Sequence, residues 1–200
     1  VRHEEADISF ALSGDAHRVI RPEPVPFVSY PYEWCFSELK SAALLTLEIE
    51  KRALETGMTL KDASAYNVQF NGCTPLFIDT LSFERYEEGR PWTAYRQFCQ
   101  HFLAPLALMG GVDIRLGQLM RIYMDGVPLD LASSLLPGRT RLSLGLQTHI
   151  HMHARYQRRY AGSRTSPKEG RVGRTAMLGL IDSLEGTVRK LSYRAEGTEW

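Results

Sequence analysis

The chain has 200 residues, 44% hydrophobic and 24% charged, with a formal net charge of +1. That length can build one domain with a substantial core, and that balance excludes disordered, collagen-like and membrane-spanning classes. No apolar run approaches the roughly 18 residues that a membrane-crossing helix needs, and no basic-then-apolar leader opens the chain.

The charge is unevenly spread. Residues 1–90 carry nine Lys or Arg against fifteen Asp or Glu, whereas residues 139–174 carry nine Lys or Arg against the single acid Glu169. Such a basic stretch could face an anionic partner, or be a solvated helix face followed by a loop. Cys35, Cys73 and Cys99 form an odd set without C-x-x-C spacing. This argues against disulfides and a cysteine zinc site, and fits a reducing cytoplasm. The chain opens on Val rather than Met, as a fragment of a longer protein would.

Residues 1–32 read as an irregular lead-in or hinge. Pro22, Pro24, Pro26 and Pro31 remove donors and force their predecessors into extended backbone. From Glu33 to Gly57, Lys40, Ala43, Leu44, Leu47 and Leu54 recur at helical spacing, and Gly57 is a natural stop. One long amphipathic helix is expected there. "YNVQF" and "LFID" then read as two strands joined at Asn71-Gly72, a hairpin signal, with Asp79 ending the second strand. Trp92, Tyr95, Phe98, Phe102 and Leu106 define a core-facing helix over 91–109, which Pro105 should kink or end. Short helices over 112–136 break at Gly126-Val127-Pro128. Residues 142–161 read as a helix with a basic end, 161–174 as a flexible loop, and about 175–194 as a last helix. The fold class is α+β, mostly α-helical with one hairpin, and residues 33–200 form its domain.

The chemistry centres on Asp62, Asn67 and Asp79. Phosphoryl transfer asks a protein for positioning and charge neutralisation: one carboxylate to take a hydroxyl proton, and oxygen ligands to hold Mg²⁺. A protein-kinase catalytic loop meets this with Asp, four residues, Asn, then a hairpin ending in Asp. Here Asp62, four residues, Asn67 and a hairpin ending at Asp79 follow the same order. A hairpin folds back, so its far end returns beside its near end. The competing reading is that all three are turn residues, with Asp62 capping the turn after the long helix, Asn67 bonding its own backbone and Asp79 holding the hairpin's exit.

The segment resembles the C-lobe core of the protein-kinase-like superfamily, including small-molecule kinases of the aminoglycoside phosphotransferase type. That resemblance implies Asp62 as catalytic base, Asn67 and Asp79 as Mg²⁺ ligands, ATP as phosphate donor, and "SYPYEWCF" as the hinge from a small lobe. The pattern departs from the family in four places. Leu60-Lys61 precedes Asp62 where a histidine motif is usual, no glycine follows Asp79, and neither a glycine-rich nucleotide loop nor a strand lysine with its helix glutamate is recognisable upstream. An active site and a binding-only pseudokinase both remain open.

Over nearly its whole length, from "PFVSYPYEWCFSELK" through "GRPWTAYRQFCQHFLAPLALM" to the terminal "TEW", the chain is also similar to the N-terminal region of a bacterial family of class I SAM-dependent methyltransferases related to nodulation proteins. That likeness implies a covalently linked methyltransferase domain beyond residue 200, which would hold S-adenosylmethionine. No glycine-rich SAM loop follows a strand within these residues. The domain here would then be kinase-like, or a non-catalytic module that presents substrate or binds RNA. The acceptor is not readable.

Three further patterns carry less. His149, His151 and His153 alternate, so a strand would gather them into a zinc site, whereas a helix would place them on a surface. Arg139, Arg141, Arg155, Arg158, Arg159, Arg164, Lys168, Arg171 and Arg174, interleaved with Tyr156 and Tyr160, could contact phosphates. Cys99 lacks a histidine-carboxylate context, and Ser37, Ser64 and Ser82 lack the glycine pattern of a nucleophile elbow.

Overall fold

The computed structural model describes residues 1–160 and 171–195. Helix α1 (Phe36–Glu55) is the spine. Leu39, Leu47 and Leu54 project from it into the core with at most 1% of their surface exposed. Glu38 returns its carboxylate to the Cys35 N–H at 2.9 Å, closing the first turn as a capping box does. At the other end Gly57, at φ +75°, takes the left-handed backbone that releases the chain from the helix. The expected helix over 33–57 is therefore present, shortened at both ends by its caps.

Strand β3 (Met58–Leu60) follows at once and pairs antiparallel with β6 (Phe83–Arg85). Between them stands the hairpin of β4 (Val68–Asn71) and β5 (Thr74–Phe77), in which Asn71 faces Thr74 across a two-residue Gly72-Cys73 connection. The N-terminal region differs from expectation. It is not wholly irregular: β1 (His3–Ala6) pairs with β2 (Val19–Pro22). Pro22 ends that ribbon, where a missing donor is tolerated.

The aromatic helix is three pieces rather than one. Helix α2 (Tyr95–Phe98) passes into a π turn, Cys99–Leu103, and then into α3 (Ala104–Gly111). Pro105 neither ends nor visibly breaks this run. A regular helix would drive its ring against the carbonyl four residues back, that of His101, and the wider turn sits just ahead of it. Phe98, Phe102 and Leu106 are fully buried, as their spacing predicts. Short helices α4 (Leu119–Ile122) and α5 (Leu129–Leu135) flank the Gly126-Val127-Pro128 break.

Beyond α5, α6 (Leu144–Leu146) and a second π turn, Gln147–Met152, lead into α7 (His153–Tyr160). Helix α8 (Arg174–Lys190) packs along α1. Lys51 on α1 pairs with Asp182 at 2.6 Å and with Glu185. Lys40 donates to the Arg189 and Leu191 carbonyls at 2.8 and 2.7 Å, satisfying acceptors that a helix end leaves open. The predicted loop at 161–174 falls largely outside the described residues, and Arg164 and Lys168 with it. Arg139 and Arg141 are exposed on one 3₁₀ turn, Gly138–Leu142, and Arg155, Arg171 and Arg174 are exposed elsewhere along the chain.

One buried acid fixes the strand from which the Asp62 loop departs. Glu50 of α1 is fully buried, yet its two oxygens accept from the Thr59 hydroxyl at 2.7 Å and the Leu60 N–H at 2.6 Å. Trp92 holds the same strand from the other side, donating its indole N–H to the Leu60 carbonyl at 2.8 Å. Burial pushes the Glu50 carboxyl up to about 7, against the opposing pull of those two hydrogen bonds. The fold thus favours the protonated acid. That contribution is complete below the ordinary value of 4.5 and is lost as pH rises through about 7. Relative to a Glu50→Gln variant, the natural protein should lose up to about 3 kcal/mol of unfolding free energy between those limits and nothing further above them. Urea unfolding at a series of pH values measures this, and a pH-independent difference would refute it.

Candidate functional site

The tie from Glu50 and Trp92 fixes the end of β3, so the next residues leave the strand in a defined direction. Lys61 N–H still pairs with the Ser82 carbonyl at 2.8 Å. Asp62 then turns the chain: its Oδ1 accepts the Ser64 N–H at 2.8 Å, and Ser64 Oγ accepts the Tyr66 N–H at 3.2 Å. These are successive side-chain caps on a short 3₁₀ turn, Ala65–Asn67. Gln97 of α2 reaches across to accept the Ala63 N–H at 2.7 Å.

Asn67 sits where this turn enters β4. Its carbonyl accepts the Ile78 N–H at 2.8 Å, extending the ladder to the residue before Asp79. The side chain is 8% exposed. Its amide nitrogen donates to Ser82 Oγ at 3.0 Å and, at the outer limit of 3.5 Å, to the Asp62 carbonyl. Ser82 Oγ in turn donates to Asp79 Oδ2 at 2.7 Å, while Asp79 Oδ1 accepts the Leu81 N–H at 2.8 Å. The hairpin therefore does bring its exit back to its entrance, with Ser82 as the link. Asp62 and Asp79 also behave as turn residues, each capping a backbone N–H two positions on. The two roles coexist in the same side chains.

Asp62 and Asn67 line a cleft of about 700 Å³ that also draws in Lys61, Tyr66, His101 and Asp125. Asp79 joins this group from behind, through Ser82, rather than from the cleft wall. Asn67 commits its NH₂ to internal bonds and leaves Oδ1 as the free ligand atom. Both Asp79 oxygens carry one bond each and retain acceptor capacity. Among the described residues, no three His, Cys, Asp or Glu side chains gather as a metal site. The donor set is two carboxylates and an amide. That suits a hard cation which keeps other oxygens, such as phosphate, in its shell.

Two participants escaped the sequence reading. Ser82 had a local signal, since a hydroxyl three residues after Asp79 is within reach of its carboxylate. His101 had none. It stands in the π turn at 3% exposure, edge-on to the Tyr66 ring with centroids 6.2 Å apart. Burial holds its imidazole down at about 4, despite the pull of the Asp62 and Asp125 carboxylates, so it is neutral near pH 7.

The three alternating histidines are neither a zinc site nor an exposed helix face. His149 is clamped between the Tyr95 hydroxyl at 2.8 Å and Ser183 Oγ at 2.9 Å. His151 lies between Ser133 Oγ at 2.8 Å and Thr140 Oγ1 at 2.9 Å. Both are buried, and the His153 ring lies tilted against Tyr95 with centroids 5.0 Å apart. The wide turn spreads the rings toward different partners, and burial lowers the affinity of all three for protons. Cys99 is buried and its thiol is pushed up to about 12 by burial, which leaves it unreactive. The described residues contain no disulfide and no helix long and apolar enough to cross a membrane.

Over 169 residues the chain is 38% identical to nodulation protein NoeA of Rhizobium meliloti (strain 1021), a match that takes in 84% of this chain and 35% of that protein. The chain thus spans about a third of the length of that relative. No family model matches the chain, and no solved structure matches it.

The Ser82 bridge can be tested directly. Ser82→Ala leaves the buried Asn67 amide with only its long contact to the Asp62 carbonyl, which should cost about 1–3 kcal/mol. Urea denaturation measures this, and a loss within about 0.5 kcal/mol, as for an ordinary surface change, would show that the bridge does not hold the hairpin's exit.

Proposed function

We propose that the chain is a kinase-like accessory domain of a longer protein, built on a protein-kinase-type C-lobe loop, that binds magnesium-nucleotide or a related phosphorylated ligand through Asp62, Asn67 and Asp79. The observation that carries this reading is the relay from the Asp62 carbonyl through the Asn67 amide and Ser82 to the Asp79 carboxylate. It ties the backbone of the Asp62 loop and the hairpin-end carboxylate of Asp79 to one amide whose oxygen makes no internal bond. Asn67 Oδ1 and Asp79 are the groups that would hold Mg²⁺. When bound, that ion supplies the charge neutralisation that phosphate binding requires. Asp62 opens onto the cleft and would accept the proton of an incoming hydroxyl, with ATP as the phosphate donor if the site turns over. A binding-only, pseudokinase-type role uses the same residues without that last step.

The longer relative supports an accessory role, because a chain of this length is a third of that protein. In this reading methyl transfer from S-adenosylmethionine would belong to a linked domain, and the exposed arginines of the 139–174 region would meet an anionic partner. A second reading makes the domain a non-catalytic module that presents substrate to that neighbour or binds RNA, and the local capping roles of Asp62 and Asp79 favour it.

Titration calorimetry of the chain with Mg·ATP separates these readings. The kinase-like reading expects binding that chelation abolishes and that Asp79→Asn weakens by roughly tenfold or more, with the fold kept because the amide oxygen can still accept from the Leu81 N–H while its NH₂ donates to Ser82 Oγ. No binding by the unaltered protein ends that reading. The presenter reading expects Asp62→Ala to leave full-length activity intact while deletion of the domain weakens substrate affinity.

A further inference from the structure

The π turn shapes the cleft wall. Ala104 N–H reaches five residues back to the Cys99 carbonyl, which frees the Gln100 carbonyl to accept the Val127 N–H at 2.9 Å. The loop before α5 is thereby docked on the turn. Gly126 makes the approach possible: a Cβ there would stand 2.7 Å from Gln100 Cβ and 3.0 Å from His101 Cδ2. Its neighbour Asp125 is carried to the rim of the same cleft that Asp62 and His101 line.

His101 presents a particular deficit. Its Nδ1 is shut off from solvent and has no hydrogen-bond partner. An orphaned acceptor is tolerated more readily than an orphaned N–H, so the neutral ring places its proton on Nε2. No bond within the described residues occupies Nε2, and His101 lines the cleft. The wall therefore offers an imidazole donor near two carboxylates, beside Lys61, with Asp62 Oδ2 free because Oδ1 is engaged by Ser64. A hydroxyl is the group that donates to a carboxylate and accepts from an imidazole N–H at once. An ammonium cannot accept from the imidazole, and an anion meets two carboxylates against the single cation Lys61. The volume of about 700 Å³ suits a small molecule.

We propose that His101 and Asp125 complete, with Asp62, a binding site for the hydroxyl groups of an uncharged polyhydroxylated small molecule. The proposal takes the hydroxyl-facing role of Asp62 from the kinase-like reading and names the acceptor class for it. Asp125 is exposed, so its substitution leaves the core intact.

The test is imidazole ¹⁵N–¹H NMR of the chain titrated with glucose, myo-inositol and glucose 6-phosphate. A saturable change at the His101 resonances with glucose or myo-inositol, weaker or absent with the phosphate, is expected. Asp125→Asn should weaken that response roughly tenfold while its Mg·ATP titration matches the unaltered protein, and calorimetry of His101→Gln should show the same loss. Absence of a saturable change with both neutral probes overturns the proposal, as does a response to the phosphate alone or an Asp125→Asn variant of undiminished affinity. Asp79→Asn should leave the His101 response in place. A protein that shows this response but binds no Mg·ATP therefore refutes the nucleotide reading alone.

Discussion

The Asn67 carboxamide is the point on which the cleft depends. Its nitrogen touches the Asp62 carbonyl and Ser82, its backbone carbonyl holds Ile78, and Ser82 holds Asp79. A buried amide that bonds internally costs little, whereas one deprived of partners costs its full desolvation. That asymmetry makes the arrangement all-or-none. Either loop, hairpin and exit close together around Asn67, or the amide must return to water and all three separate.

Closure around Asn67 presupposes that β3 arrives in register, and this is set from the core outward. Helix α1 buries its apolar stripe against the aromatic run of α2 and α3 and against α8. With the helix immobilised, Glu50 becomes a fixed acceptor for the strand after it. Lys51, the next residue, faces away and ties α1 to α8 through two acids. Adjacent residues of one helix thus serve opposite sides. The buried one positions the Asp62 loop and the half-exposed one secures the outer layer.

Elements specified by neighbours in sequence were legible. The long helix announces itself by its 3.6-residue period and by Gly57, and the hairpin by strand-like runs around Asn71-Gly72. The return of Asp79 toward Asn67 follows from the hairpin alone. What depended on partners far along the chain was not legible. The alternation of His149, His151 and His153 resembles strand periodicity, and only Tyr95, Ser133, Thr140 and Ser183 reveal it as a buried network inside a wide turn. The pairing of β1 with β2 was hidden because four prolines dominate the lead-in, although only Pro22 falls within a strand. His101 sits in an apolar helical pattern that reads as core. Its relation to Asp125 exists only because a loop docks on the freed Gln100 carbonyl.

Both wide turns occur where histidines enter the core, but their consequences differ. In Gln147–Met152 two rings find hydroxyl partners on both nitrogens, although Gln147 Oε1 is left buried without a partner. In Cys99–Leu103 the ring nitrogen Nδ1 is left without one, close to two carboxylates. An irregular turn and an unpaired buried atom are each unfavourable, and folding alone would remove both by exchanging the histidine for an apolar residue. In the Cys99–Leu103 turn that coincidence falls on the wall that also carries Asp62 and Asn67. In the proposed site a ligand would meet the ring's other nitrogen, Nε2, while Nδ1 stays unpaired inside the core.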